Sequence, residues 1–183
     1  MEKNISGTWF GKMEFDEGHY RKEFDRLLDL EADAKYYIRK SDSTFKINKF
    51  SKKGKESLDL ARFIKDSDEK AKDYWAITVC YYAMLYSAKA AILTKGYETD
   101  DHYSTQIALG HLLVPDEIER EDLELLEQAS KIFEEDYVEY FVDARKESSI
   151  SRYSPTKVYT QRRVAEIYAN AKKFIAKINE ILD

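Results

Sequence analysis

The sequence predicts an all-α fold: an antiparallel up-and-down bundle of four to five core helices with an additional N-terminal helix. Three observations carry this expectation. The 183 residues include only two prolines and six glycines, too few for the many turns of a β-sandwich or an α/β design. Fifteen consecutive uncharged residues, Tyr74 to Ala88 (YWAITVCYYAMLYSA), contain neither Gly nor Pro. Such a run is too short to span a bilayer and too long for one strand, so it reads as a helix buried on nearly every side. Elsewhere apolar residues recur every three or four positions among interleaved charges, which make up 36% of the chain against about 25% in typical domains.

Taken in order, the first dozen residues show no periodicity. Tyr20, Phe24, Leu27, Leu28, Ala34, Tyr37 and Ile38 then mark one apolar face of an N-terminal helix. Ser41 to Gly54 (SDSTFKINKFSKKG) is polar and basic and reads as a linker. It divides the chain into an extension over 1–54 and a bundle over 55–183. A shorter helix from Lys55 to Lys65 uses Leu58, Ala61, Phe63 and Ile64, and Asp66 with Glu69 forms a capping box for the central helix.

That central helix has two stripes. Ala76, Cys80, Ala83, Ser87 and Ala90 form a line of small residues that lets another helix approach. Trp75, Val79, Tyr82 and Tyr86 form a bulky line beside it, a core face or the wall of a ligand pocket. Gly96 supplies a left-handed stop. A short amphipathic segment covers Tyr103 to Leu113. Pro115-Asp116-Glu117 then opens a long helix whose apolar face runs to Ala144. Ser154-Pro155 caps the last helix, which packs through Val164, Ile167, Ala171, Phe174, Ile178 and their neighbours.

Composition narrows the function classes. A net charge of −5 argues against bulk nucleic-acid binding by a basic surface and leaves room for a local basic site. The one cysteine, Cys80, lies in the buried run, so no intrachain disulfide forms and the thiol reads as a core group. The start MEKNISGTWF lacks the basic-then-apolar layout of a signal peptide. Both features point to the cytoplasm. There is no Gly-rich phosphate loop, CxxC pair or HExxH, and no cofactor is expected. His19, His102 and His111 lie in different segments, and the last two would sit on opposite faces of one helix, so no metal site is expected.

The richest polar segment follows the long helix. Arg145, Lys146 and Arg152 gather there, with Arg162 and Arg163 behind, a set able to hold a phosphate or an RNA backbone beside a stacking Tyr153. The same residues also read as a basic helix terminus complementing the macrodipole.

Three elements in a fixed order carry a family resemblance. The segment Cys80 to Gly96 (CYYAMLYSAKAAILTKG), then Asp101-His102-Tyr103-Ser104 with Ile107-Ala108-Leu109, then Arg145 followed by Tyr153 resemble the small stand-alone prokaryotic HEPN proteins, a toxin–antitoxin-associated group. The likeness spans about Lys55 to Asp183. It implies a helical bundle, a homodimer with the Arg segments facing across the interface, and a nucleotidyltransferase-like partner that can modify a Tyr just after the motif. Active members are metal-independent endoribonucleases using Arg-x(4–6)-His: the Arg stabilises phosphate and the His transfers a proton during attack by the 2′-hydroxyl.

Measured from Arg145, the His position here is held by Ile150, Ser151 or Arg152. Serine is no general base near neutral pH without an activator, and arginine stays protonated. His102 alone among the histidines matches a family element. The resemblance therefore implies Arg145 and His102 as the catalytic candidates, Arg145, Arg152 and Tyr153 as nucleotide or RNA contacts, and Tyr153 as the modification candidate. The expected role is an RNA- or nucleotide-related module; the alternative is a non-catalytic binding subunit or interaction scaffold.

Overall fold

Six helices and four short strands carry the computed structural model, which describes residues 15–32, 35–67, 72–147 and 161–183. The helices are α1 (Glu17–Leu27), α2 (Thr44–Lys65), α3 (Lys72–Thr94), α4 (His102–Leu113), α5 (Arg120–Glu147) and α6 (Gln161–Leu182). The strands are β1 (Glu31–Ala32), β2 (Lys35–Tyr36), β3 (Ile38–Lys40) and β4 (Tyr97–Thr99). The all-α bundle forms as its sequence predicts.

The apolar run becomes α3, which packs against α2, α4, α5 and α6. Ala76, Ala83, Ala88 and Ala91 are wholly buried along it. Trp75–Thr94, 20 residues, is long and apolar enough to cross a membrane, yet 72% of its apolar window is buried inside the protein. Packing against its own helices, rather than shortness, makes it a core element. Burial pushes the Cys80 thiol up to about 12, so it stays protonated, as a core residue should. α3 ends where Gly96 takes φ 81° and its N–H reaches the Leu93 carbonyl at 3.0 Å.

The small-residue stripe of α3 faces α2 of the same chain. A Cβ built on Gly54 would lie 2.3 Å from Ser87 Oγ and 3.2 Å from the Ala83 carbonyl oxygen, so the two backbones nearly touch. This corrects the linker expected over Ser41 to Gly54. α2 runs unbroken from Thr44 to Lys65, started by Ser43, whose hydroxyl accepts from the Lys46 N–H at 3.3 Å. Its inward face (Ile47, Phe50, Gly54, Leu58, Ala61) keeps helical spacing with a glycine at the closest approach.

Three further expectations change. The N-terminal helix stops at Leu27 rather than continuing to Ile38: Asp29 turns into the left-handed region at φ 56° and its N–H reaches the Ile38 carbonyl at 2.8 Å. Ile38, wholly buried, instead belongs to β3, which pairs antiparallel with β4 through Ile38↔Thr99, Arg39↔Glu98 and Lys40↔Tyr97. β1 and β2 form a second small antiparallel pair. The long helix starts at Arg120 rather than Pro115, because Asp122 reaches back to the Glu119 N–H at 3.2 Å while the Glu119 carbonyl accepts from the Asp122 N–H at 3.0 Å. Asp66 closes α2, its N–H bonded to the Arg62 carbonyl at 3.1 Å, whereas Glu69 and Ser154-Pro155 lie outside the described residues.

The N-terminal elements dock on the bundle. Phe24 packs edge-on to Tyr97 at 5.1 Å and against His111 at 4.6 Å, so His111 serves the contact between α1 and α4.

Candidate functional site

His102 is the first residue of α4, and the local sequence fixes it there. Asp101 accepts from the Ser104 N–H at 2.7 Å, and Ser104 Oγ accepts from the Asp101 N–H at 3.4 Å, a reciprocal cap. The imidazole then meets groups from two other helices. Its Nδ1 is hydrogen-bonded to the hydroxyl of Tyr81 on α3, and that hydroxyl also accepts from Ser130 Oγ on α5 at 3.4 Å. Phe133 stacks on the His102 ring at 5.7 Å and on the Tyr81 ring at 4.9 Å, and Tyr82 meets His102 edge-on at 6.2 Å. Ser130 Oγ also lies 3.3 Å from Glu134 Oε1.

Burial lowers the affinity of His102 for a proton below its usual 6.5, Lys89 adds repulsion, and Glu134 and Asp101 oppose the shift. The positive end of α4 acts in the same direction as burial. Burial likewise raises the Tyr81 phenol. The cluster is therefore an uncharged imidazole–phenol pair near neutral pH. With Nδ1 held by Tyr81, only Nε2 is left to face another molecule.

This arrangement has a stability signature. The unfolded chain takes up the His102 proton near 6.5, while the folded chain resists it. Between the two values the unfolded state holds more protons, so stability falls as pH drops below about 6.5, by at most about 1.4 kcal/mol per pH unit for one proton. Urea unfolding between pH 7.5 and 5.5 should show wild type losing more stability than His102→Gln. Parallel losses would contradict a buried, neutral His102.

Arg145 lies in the last turn of α5, twelve residues beyond Phe133. That separation is about 18 Å of helix rise. The contact between α5 and His102 is made at Phe133, about three turns before the turn that carries Arg145. Arg152 and Tyr153 lie outside the described residues. Arg162 and Arg163 open α6, with Arg163 3.1 Å from Glu166.

Sequence reasoning missed the partners of His102. Tyr81 sits inside the quoted motif, yet nothing local distinguishes it from its neighbour Tyr82. Ser130 and Glu134 stand four apart on α5, a common surface spacing.

The chain is a helical bundle built on a tyrosine-rich central helix, with a capped histidine helix beside it and an arginine in the last turn of the long helix. The model of the HEPN domain matches residues 47–181, nearly the whole bundle, and the chain belongs to the HEPN domain family. That membership supports a nucleotide- or RNA-related role at the level of the family. No curated protein matches the chain. The match begins inside α2, so α1 and strands β1 to β3 precede it.

Proposed function

We propose that this chain is the HEPN subunit of an RNA- or nucleotide-handling module of the toxin–antitoxin type, and that it holds phosphate through Arg145 without cleaving RNA. In this reading it works in the cytoplasm as a homodimer beside a nucleotidyltransferase-like partner. Arg152 assists at the phosphate. Tyr153 stacks on a base or receives the partner's modification. The family match supports the RNA-related role, and one observation carries the non-cleaving part: about 18 Å of α5 separates Arg145 from the contact with His102, while no histidine follows Arg145 in the sequence. Cleavage would need His102 of one protomer beside Arg145 of another.

Fluorescence-anisotropy titration with labelled RNA tests the binding half. Arg145→Ala should weaken binding roughly tenfold or more, the loss of a charged hydrogen bond, with an unchanged thermal midpoint. Equal binding by wild type and variant would remove Arg145 from the site.

A further inference from the structure

The first half of α2 concentrates charge that the chain as a whole lacks. From Thr44 to Lys55 there are five lysines and no carboxylate, in a protein of net charge −5. Such clustering creates a local positive field whatever the total. The same stretch leaves Phe45 74% exposed.

Phe45 and Phe50 line a cavity of about 240 Å³ bounded by α2, the end of α3 and β4. The lining holds four cations (Arg39, Lys46, Lys49, Lys89) against two carboxylates (Glu98, Asp100). Glu98, 8% exposed, accepts from both Arg39 and Lys46, which neutralises it and fixes those two cations. Lys89 donates to the Thr99 and Asp100 carbonyls at 2.9 Å each, leaving a third ammonium proton for another acceptor. Beyond the cavity the aromatic surface continues: Tyr86 stacks with Phe50 at 6.0 Å and lies under the Lys53 ammonium at 5.0 Å.

Cations spaced along a groove beside flat aromatic faces are the chemistry that holds single-stranded nucleic acid. An A-form duplex keeps its bases stacked away from such faces, and a run of acidic side chains alone brings no ring to stack on them. We propose that this cleft is a second RNA contact, in which Lys49, Lys53 and Lys89 take phosphates and Phe45 and Phe50 take unstacked bases of a single strand. The proposal rests on the RNA-related reading above and deepens it by naming the form of RNA held. It uses neither Arg145 nor His102.

The test is anisotropy with a short labelled single strand across a salt series, comparing wild type, Phe45→Ala, the double variant Lys49→Ala/Lys53→Ala, and Arg145→Ala. All three substituted cleft positions are exposed, so thermal midpoints should not move. Phe45→Ala should weaken binding about fivefold or more, and the double lysine variant should reduce the slope of log K against log salt by about 1.4. Weakening by the cleft variants with Arg145→Ala unaffected supports the cleft and removes Arg145. Loss in Arg145→Ala with the cleft variants unchanged overturns the cleft and leaves the earlier reading standing. Absence of RNA binding by wild type overturns both. Displacement of the strand by polyglutamate, with Phe45→Ala silent, reassigns the cleft to an acidic polypeptide and overturns the RNA proposal.

Discussion

Gly54→Ala is expected to destabilise the protein by about 1–2 kcal/mol in urea unfolding. Two effects compete. Alanine gains about 1 kcal/mol over glycine in a helix interior, whereas overpacking a well-filled contact costs about 1–3 kcal/mol. Here the new Cβ would meet Ser87 Oγ at 2.3 Å, the Ala83 carbonyl oxygen at 3.2 Å and the Ser87 nitrogen at 3.3 Å. Ser87 Oγ is itself held, donating to the Ala83 carbonyl at 2.9 Å. Two of the three neighbours are backbone, so relief requires α2 to move off α3, and the clash outweighs the propensity. Ser87→Ala in the same chain should recover part of the loss by removing the nearest atom. A Gly54→Ala variant as stable as wild type would mean that α2 and α3 do not approach this closely.

Gly110→Ala is expected to release α1 from the bundle while leaving the bundle folded. A Cβ there would lie 2.4 and 2.6 Å from ring carbons of Tyr20. That ring cannot swing aside freely: it stacks on Phe15 at 4.9 Å and its hydroxyl donates to Glu127 Oε1 at 2.6 Å. Burial and Glu127 both keep the phenol protonated, so the hydroxyl remains a donor. Expelling Tyr20 forfeits that bond, worth about 1.5–3 kcal/mol when one partner is charged, together with the ring contacts. The consequence is local opening rather than global unfolding. Trypsin should cut at Arg21, Lys22 or Arg26 faster in Gly110→Ala than in wild type, with the melting of the remaining bundle little changed. Equal cutting rates would show that α1 does not depend on this contact.

Much of the bundle was legible because its signals are local. The uncharged run, the left-handed Gly96 and the apolar stripe of α6 each announce an element within a few turns. The first half of α2 was not legible: four lysines imitate a linker, and the glycine that interrupts its apolar spacing is there because α3 needs the room. Tyr37 and Ile38 happen to fit helical spacing, but the partner of β3 lies 59 residues away at Glu98 and its neighbours, beyond any local window. Tertiary pairing overrode the local pattern. The candidate site divides the same way. Arg145 could be found as part of a motif. The setting of His102 could not, because Tyr81, Ser130 and Phe133 reach it from two other helices.

On the proposed reading, this HEPN chain holds RNA without cutting it. The most direct test incubates the purified protein in EDTA with structured and single-stranded RNA, beside Arg145→Ala and His102→Ala, after intact-mass analysis has shown Tyr153 unmodified. Intact RNA in every lane, with binding weakened in Arg145→Ala, is the predicted result. Cleavage by wild type that is lost in both variants would contradict it and make the protein a metal-independent ribonuclease whose histidine is His102.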